Sequence, residues 1–300
     1  MSVIPDRVKA MMDQSKTMKE EDKLYRYNGV LFPVLISPEE NLRALENMEA
    51  RDNDVMLVAY PKCGFNWMLS VLHKIMSPPT GEKVEFSFPP LLEFFGPQLL
   101  QTLPQVPAPR LLGTHLHPDI IPPSFFNKKT KMLVVFRNPK DTAVSYYHFS
   151  NGNPILAAAE SWDKYCADFI NGDVPWGSYF DHALAWEKHI DDCNMMIITY
   201  EDLKEDLRGG IRKVAEFFGF DLTNTRIATI AEDSTFSVMK KGSKDSHGKM
   251  GHVLFRKGEI GDWRNHFSQA QSEQMDAAFE KHLAGTKLGS KLKYDIYCKW

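Results

Sequence analysis

Residues 54–76 read DVMLVAYPKCGFNWMLSVLHKIM: a short apolar run, a loop and a longer apolar run. The first run, 54–60, is typical of a buried parallel strand, and the run at 67–76 is long enough for a helix. The loop between them holds Lys62 and Gly64. A strand, a glycine-containing loop and a helix N-terminus favour a bound phosphate, because backbone N–H groups and the helix dipole both attract an anion. The stretch therefore predicts a phosphate-binding loop, with a plain turn as the alternative.

The order of residues in this loop is not that of a nucleoside triphosphatase. In that pattern a glycine precedes the lysine, and a serine or threonine follows it to hold magnesium. Here Lys62 precedes Gly64 and is followed by Cys63. The sequence therefore disfavours an ATPase, a GTPase or a kinase that uses ATP.

A second strand end also carries groups that suit an anion. TKMLVVFR (130–137) is the clearest strand of the chain, and NPKDTAVSYYHF (138–149) predicts a helix with Asn138 as its N-cap. Arg137 lies where the strand ends, and Ser145 lies on the helix. Arginine makes bidentate contacts to phosphate, and a serine hydroxyl adds one more donor. A salt-bridged strand end with an exposed serine is the alternative.

A third segment, FRKGEIGDWRNHF (255–267), combines Arg256 and Lys257 with the pliable backbone of Gly258. A solvated basic loop is the commoner fate of such a charge run. Two strand ends that favour anions in one sheet nevertheless suggest a ligand with two separate phosphate-like groups.

The rest of the chain predicts the fold class. RLLGTHLH (110–117) and NMMIITY (194–200) predict two more strands, with amphipathic helical stretches between the strands. Strands that alternate with helices indicate an α/β protein: a single domain with a central parallel β-sheet flanked by helices. We expect a flexible N-terminal segment at 1–25 and the domain at 26–300.

Two local features are predicted from glycine. The helical stretch 201–220 is expected to break at the glycine pair 209–210. Residues 242–262 are rich in glycine, lysine and histidine and are expected to form a mobile loop that a bound nucleotide orders, because Arg256 and Lys257 need a phosphate partner.

The composition is that of a globular protein, with 300 residues, 43% apolar residues and a net charge of −3. A near-neutral charge argues against a protein that coats nucleic acid or an anionic membrane. The four cysteines are widely spaced and predict neither a zinc site nor a disulfide framework. The sequence has no secretory core and no run of about 18 apolar residues, so we expect a cytosolic protein without a membrane span.

Together the motifs resemble those of the cytosolic sulfotransferases. YPKCGFNW (60–67) resembles the family's YPKSGTTW loop, RNPKDTAVSYYHF (137–149) its 3′-phosphate segment, RKGEIGDW (256–263) its RKGxxGDW segment, and THLH (114–117) its THLP segment. The spellings YPKCG and THLH resemble the sixth vertebrate subgroup. The resemblance implies a P-loop-like sulfotransferase fold and the donor 3′-phosphoadenosine 5′-phosphosulfate, with 3′-phosphoadenosine 5′-phosphate (PAP) as product and no metal. It also implies transfer to a hydroxyl or amine of a small hydrophobic acceptor, such as a phenol, an iodothyronine or a steroid alcohol.

The resemblance assigns three groups of donor-binding residues. The 5′ end of the donor is implied to lie against Lys62, Cys63, Gly64, Phe65, Asn66 and Trp67; the 3′-phosphate against Arg137, Ser145, Arg256, Lys257 and Gly258; and adenine against Tyr200, Ser234 and Phe236.

Catalysis is implied to rest on His115, Lys62 and Ser145. His115 would be the general base, because a hydroxyl is a poor nucleophile until its proton is removed and histidine titrates near neutral pH. Lys62 would neutralise charge on the leaving oxygen. A structural histidine, or a metal ligand paired with His117, is the alternative for His115.

The sequence departs from the family pattern in the first loop and in the histidine segment. Gly113 stands where many members have a lysine, which puts the rate and the choice of acceptor in doubt. Phe65 and Asn66 replace two threonines, so Phe65 has only its backbone N–H to give. Cys63 lies beside Lys62 at a helix N-terminus, where a thiol pKa can fall, and redox control of this cysteine is a hypothesis.

The acceptor pocket is expected to be apolar. Its candidate residues are Phe86, Phe88, Phe94, Phe95, His148 and Phe149, with core packing as the alternative for each phenylalanine. Residues 264–273 (RNHFSQAQSE) resemble the family's dimer segment, and this resemblance implies a homodimer. The alternative function is a catalytically weak nucleotide or small-molecule binding protein on the same fold.

Overall fold

The structure is a computed structural model that describes residues 3–78, 91–247 and 250–300. Its centre is a four-stranded parallel sheet in the order β4-β3-β5-β6, accompanied by an antiparallel hairpin of β1 and β2. The strands are β1 (Leu24–Tyr27), β2 (Val30–Pro33), β3 (Val55–Ala59), β4 (Leu111–Thr114), β5 (Lys131–Phe136) and β6 (Met195–Thr199). The predicted α/β fold with a central parallel sheet is confirmed.

Helices connect the strands and pack against the sheet. They are α1 (Val3–Ser15), α2 (Glu39–Leu45), α3 (Phe65–Met76), α4 (Pro97–Leu100), α5 (Pro123–Asn127), α6 (Pro139–Gly152), α7 (Trp162–Asn171), α8 (Tyr179–Glu187), α9 (Tyr200–Glu205), α10 (Leu207–Phe218), α11 (Asn224–Asp233), α12 (Phe236–His247), α13 (Gly251–Leu254), α14 (Gln269–His282), α15 (Lys287–Lys291) and α16 (Tyr294–Tyr297). Short 3-10 turns lie at Glu20–Lys23, Leu103–Gln105, Pro118–Ile120 and Asp262–Asn265.

The two central strands, β3 and β5, are apolar along almost their whole length. All five residues of β3 and all of β5 except Lys131 are buried, as expected for parallel strands covered on both faces. Leu57 of β3 pairs with Gly113 of β4 on one side and with Leu133 of β5 on the other. Because all four strands run in one direction, their carboxyl ends meet at one edge of the sheet.

The β1–β2 hairpin was not predicted. Its turn residues Asn28 and Gly29 both have positive φ, 48° and 82°. This is the geometry that an Asn-Gly pair favours between two strands, so the dipeptide was the signal for it. The hairpin reaches the main domain through Leu31, whose carbonyl accepts a hydrogen bond from the N–H of Trp176 at 2.8 Å.

Two local predictions are wrong. The break in 201–220 lies at Asp206, not at the glycine pair, because the Asp206 carboxylate accepts a hydrogen bond from the Gly209 N–H and caps α10. The segment 242–262 is not a loop throughout: α12 extends to His247, and α13 follows at Gly251–Leu254. Nothing is described for residues 248–249. The predicted flexible segment 1–25 contains α1, and its mobility stays a prediction.

Within the described ranges, no helix combines the length and apolar character needed to cross a membrane. In the same part of the chain, no group of three or more His, Cys, Asp or Glu side chains is placed to hold a metal ion.

Candidate functional site

The loop after β3 turns sharply into α3. The Cys63 N–H donates to the Tyr60 carbonyl at 3.1 Å, and Lys62 and Gly64 have φ of 70° and 101°. A Cβ on Gly64 would lie 3.0 Å from the Tyr200 ring, so the loop needs glycine both for its conformation and for this close approach. No side-chain hydrogen bond caps α3, because its N-cap residue is Gly64.

Lys62 is the cation of this loop. Its Nζ lies 4.2 Å from the centroid of the Phe149 ring. Burial, with Arg137 and Arg256 nearby, lowers the pKa of Lys62 to about 7. The three cations that the sequence placed in separate motifs are thus close enough to repel one another, which is the electrostatic condition for binding a multiply charged anion.

Arg137 lies at the end of β5 and is buried. Its guanidinium donates to the Glu259 carbonyl at 2.9 Å and lies 4.4 Å from the Tyr200 ring centroid. Its Nε is buried without a hydrogen-bond partner among the described residues. A buried donor of this kind is costly when unpaired, so the position fits an anion that supplies an acceptor. Ser145, two turns along α6, is partly exposed.

A nearby aromatic cluster matches the residues assigned to adenine. Trp67 Nε1 donates to the Ser234 carbonyl at 2.8 Å, and the Trp67 and Tyr200 rings meet edge to face at 5.2 Å. The Phe236 ring lies so close to Gly258 that a Cβ there would come within 2.2 Å of it. The structure therefore brings Trp67, Tyr200 and Ser234 together and, two residues along the chain from Ser234, packs Phe236 against Gly258. Asn66, on the first turn of α3, is partly exposed beside them.

Arg256 and Lys257 already have a carboxylate partner. The Arg256 guanidinium and the Lys257 ammonium (2.6 Å) both contact Asp262, and their hydrogen bonds lower its pKa although burial opposes the shift. The expectation that these cations lack a partner without phosphate is wrong, because Asp262 lies only a few residues along the same turn. Ordering of 242–262 by a nucleotide stays a prediction.

Cys63 does not have the environment of a reactive thiol. It is fully buried, with its Sγ 3.6 Å from Thr142 Oγ1. Burial raises the pKa of Cys63 to about 12, although Arg137 acts in the opposite direction. The expectation that the pKa of the Cys63 thiol is lowered is wrong, because the side chain is buried in the core and not exposed at the helix N-terminus.

His115 follows the end of β4 and is buried. Its Nδ1 lies 2.6 Å from the Ala59 carbonyl oxygen. A carbonyl can only accept, so Nδ1 carries the proton and the Nε2 of the neutral ring keeps a lone pair. Burial, with Lys62 nearby, lowers the pKa of His115 to about 4, although the bond to Ala59 opposes this. The ring is therefore neutral at pH 7 and has one nitrogen free to accept a proton.

Glu93 accepts hydrogen bonds from the segment that carries His115. It is fully buried, and its carboxylate accepts from the His115 backbone N–H at 2.8 Å and from Thr114 Oγ1 at 2.9 Å. Burial raises its pKa to about 7 against these hydrogen bonds. Sequence reasoning missed this residue, although a lone charge inside the apolar run 86–100 was the available signal, since such a charge must be paired when buried.

A small pocket opens on the other side of His115. Its apolar lining comes from Val30 and Phe32 of the hairpin and from Leu116, Ile120 and Trp176, none of which was predicted as an acceptor residue. Its other lining residues are polar: His117, Ser178, Asp181 and His182. Of the predicted acceptor residues, Phe94 lies near both His115 (6.4 Å) and Trp176 (5.9 Å) between ring centroids.

The other predicted acceptor residues are scattered. Phe149 lies by Lys62, Phe95 is buried against Phe94, and His148 faces His266 at 5.0 Å. Phe86 and Phe88 lie outside the described residues. His117 lies 3.2 Å from the carboxylate of Asp119.

Part of the segment 264–273 makes contacts within the chain, and part of it is exposed. Ser268 and Gln271 form the capping box of α14, and Gln271 also accepts from Trp162 Nε1. Ser268, Gln269 and Glu273 are exposed.

Three comparisons with known proteins agree with this geometry. A model of the sulfotransferase domain matches residues 52–287. Sulfotransferase 6B1 of Danio rerio is 56% identical over 294 residues, covering 98% of this chain and 99% of the relative, and that of Homo sapiens is 45% identical over 288 residues, covering 96% and 95%. The crystal structure of mouse sulfotransferase SULT7A1 complexed with PAP has a TM-score of 0.82 at 34% identity, covering 91% of this chain and 99% of that one.

Proposed function

The chain belongs to the cytosolic sulfotransferase family, vertebrate subgroup 6, and we propose that it moves the sulfonyl group of 3′-phosphoadenosine 5′-phosphosulfate to a small hydrophobic acceptor. The donor-binding residues fit two phosphate groups and a purine. Lys62 and the N-terminus of α3 lie at one strand end, and Arg137 with its unpaired Nε lies at another. The Trp67 ring meets the Tyr200 ring, over which the Arg137 guanidinium lies.

The observation that carries the proposal is the state of His115. It is neutral, its Nδ1 proton is held by Ala59, and it lies at the same sheet edge as Lys62. In the reaction His115 Nε2 takes the proton of the acceptor hydroxyl while the acceptor oxygen bonds to sulfur and the bond from sulfur to the 5′-phosphate oxygen breaks. Lys62 stabilises the charge on that leaving oxygen. The bound donor supplies only the activated sulfonyl group.

The acceptor is proposed to be a flat apolar molecule with a hydroxyl or an amine. Support comes from the aromatic side chains of Phe32, Phe94 and Trp176, which lie beside His115.

We also propose a cytosolic location and a homodimer through the exposed face of 264–273. Sedimentation equilibrium tests the dimer: a single species at the monomer mass of 34.4 kDa at all concentrations would contradict it.

The donor class is tested by thermal unfolding with PAP, with ADP as the control. A ligand at about 100 times its Kd stabilises the folded state by about 2.7 kcal/mol. We expect PAP to raise the unfolding temperature and ADP, which lacks the 3′-phosphate for Arg137, to raise it much less. Equal shifts would contradict the assigned 3′-phosphate site.

The base is tested with His115→Ala, with His189→Ala as the matched control. Turnover of the donor with a simple phenol should fall by about 10²- to 10⁴-fold in His115→Ala. It should change little in His189→Ala, because that ring lies 2.9 Å from the Asp192 carboxylate and does not line the pocket beside His115. Both variants should keep the thermal shift with PAP. A wild-type chain that binds PAP but shows no turnover with any acceptor would favour the weak binding protein instead.

A further inference from the structure

We propose that Phe65 and Gly113 form a coupled pair that positions the imidazole of His115, an inference that rests on the proposed function. The two residues come from different elements: Phe65 begins α3, and Gly113 lies in β4, two residues before His115. They are also two of the positions at which the sequence departs from the family pattern.

The first step is steric. A Cβ built on Gly113 would lie 2.4 Å from Cζ and 2.8 Å from Cε2 of Phe65, while its next neighbour, the Leu57 carbonyl, lies at 3.4 Å. Carbon atoms do not approach as closely as 2.4 Å without displacement. Gly113 is therefore the only residue that leaves the Phe65 ring where it is, and no longer side chain, lysine included, has space there.

The second step is the contact with the base. The Phe65 ring is 4% exposed and meets the His115 ring edge to face, with centroids 4.9 Å apart. Trp176 (5.6 Å) and Phe94 (6.4 Å) contact the same imidazole from farther away. A single hydrogen bond, to Ala59, leaves an imidazole able to swing about that bond, so the packing of these rings fixes its orientation.

The third step separates the side chain of Phe65 from its backbone. The backbone N–H belongs to the N-terminus of α3 and is kept in any substitution except proline. The ring faces His115 and Gly113 instead. Phe65 is thus a positioning residue, and replacing its side chain should affect His115 rather than donor binding.

A double-mutant cycle tests the coupling. Phe65→Thr should lower kcat about tenfold or more and leave the Kd for PAP within twofold. Gly113→Ala should be similarly harmful beside Phe65, because the new methyl displaces the ring, but should add little in the Phe65→Thr background. Phe65→Leu, which keeps most of the apolar volume, should retain more activity than Phe65→Thr. A Gly113→Ala effect of equal size in both backgrounds would overturn the coupling.

A second measurement is independent of turnover. The imidazole of His115 is titrated by NMR, with His115→Ala used to assign its signal and Phe279→Thr as a control for loss of a buried ring elsewhere. Phe65→Thr should raise the pKa of His115 toward the ordinary value, whereas Phe279→Thr should not. An unchanged pKa in Phe65→Thr would overturn the positioning role. A wild-type chain without turnover but with this shift would contradict the proposed function alone.

Discussion

At the scale of the single residue, the charge of Lys62 is subject to two opposing requirements. It must be charged to hold an anion, yet its surroundings favour loss of the proton: burial, Arg137 and Arg256 lower its pKa to about 7. A bound phosphate adds negative charge beside it and raises that pKa again. Donor binding and protonation of Lys62 are therefore linked.

The linkage predicts a pH dependence with a definite sign. Below pH 7 Lys62 is already charged and adds no pH dependence to the affinity for PAP, so any change there comes from protonation of the phosphate groups, whose second pKa is about 6. Above pH 7 the site must take up a proton to bind, so the Kd should rise with pH, by at most tenfold per unit. Titration calorimetry between pH 6 and 9 measures this, and two buffers of different ionisation enthalpy measure the proton uptake. His115, with its pKa of about 4, stays neutral throughout this window.

Lys62→Arg is the matched variant for this prediction. An arginine remains charged to high pH, so its Kd for PAP should be flat between pH 7 and 9. A wild-type Kd that is equally flat would show that the pKa of Lys62 in the free protein is not lowered.

At the scale of the element, α10 shows how a side chain sets a helix boundary. The Asp206 carboxylate accepts from the Gly209 N–H at 2.8 Å, and a Cβ on Gly209 would lie 2.0 Å from that carboxylate. Glycine 209 therefore serves the cap instead of breaking the helix. The Asp206→Ala variant should lose about 1 kcal/mol of the free energy of unfolding, measured by urea denaturation.

Asp206→Asn is the control for this cap, because an asparagine oxygen accepts the same hydrogen bond. It should keep most of the stability that Asp206→Ala loses. Equal losses in the two variants would show that the charge of Asp206, and not its cap, stabilises α10.

The elements that the sequence predicted well are those whose burial is complete. Continuous apolar runs identified β3 and β5, and Asn138 was correctly assigned as the N-cap of α6, where its side chain accepts from the Asp141 N–H. The prediction failed at 242–262, because glycine and lysine content indicated a loop, whereas α12 and α13 pack against each other and α13 packs against α6. The β1–β2 hairpin was not predicted, although the Asn28-Gly29 dipeptide in the sequence indicates such a turn.

At the scale of the whole molecule, the site is assembled from all four strand ends. Lys62, His115, Arg137 and Tyr200 each follow a different strand of the sheet. The sequence placed these residues at strand ends, and parallel strands bring their carboxyl ends to one edge of the sheet, whereas the roles of the four residues came from the family resemblance and stay predictions. The contact of Phe65 with Gly113, and the support of His115 by Glu93, depend on which loops meet in space. A linear pattern does not contain that information.

The segment 255–267, which carries Arg256 and Lys257, is attached to α6 by the acidic side chain of Asp141. Removing Asp141 should therefore change PAP binding in the direction opposite to that expected from its charge alone. The buried Asp141 carboxylate accepts from the backbone N–H groups of Gly261 (2.7 Å) and Trp263 (2.9 Å), which holds the turn whose Asp262 pairs with Arg256. Removing a negative charge near a phosphate site should strengthen anion binding, but Asp141→Ala should weaken PAP binding about tenfold or more, with a smaller loss in Asp141→Asn. Calorimetry measures both, and Asp168→Ala, which removes a surface carboxylate paired with Lys164, should leave the Kd unchanged. Tighter binding of PAP by the folded Asp141→Ala variant would show that Asp141 acts through its charge and not by docking the segment.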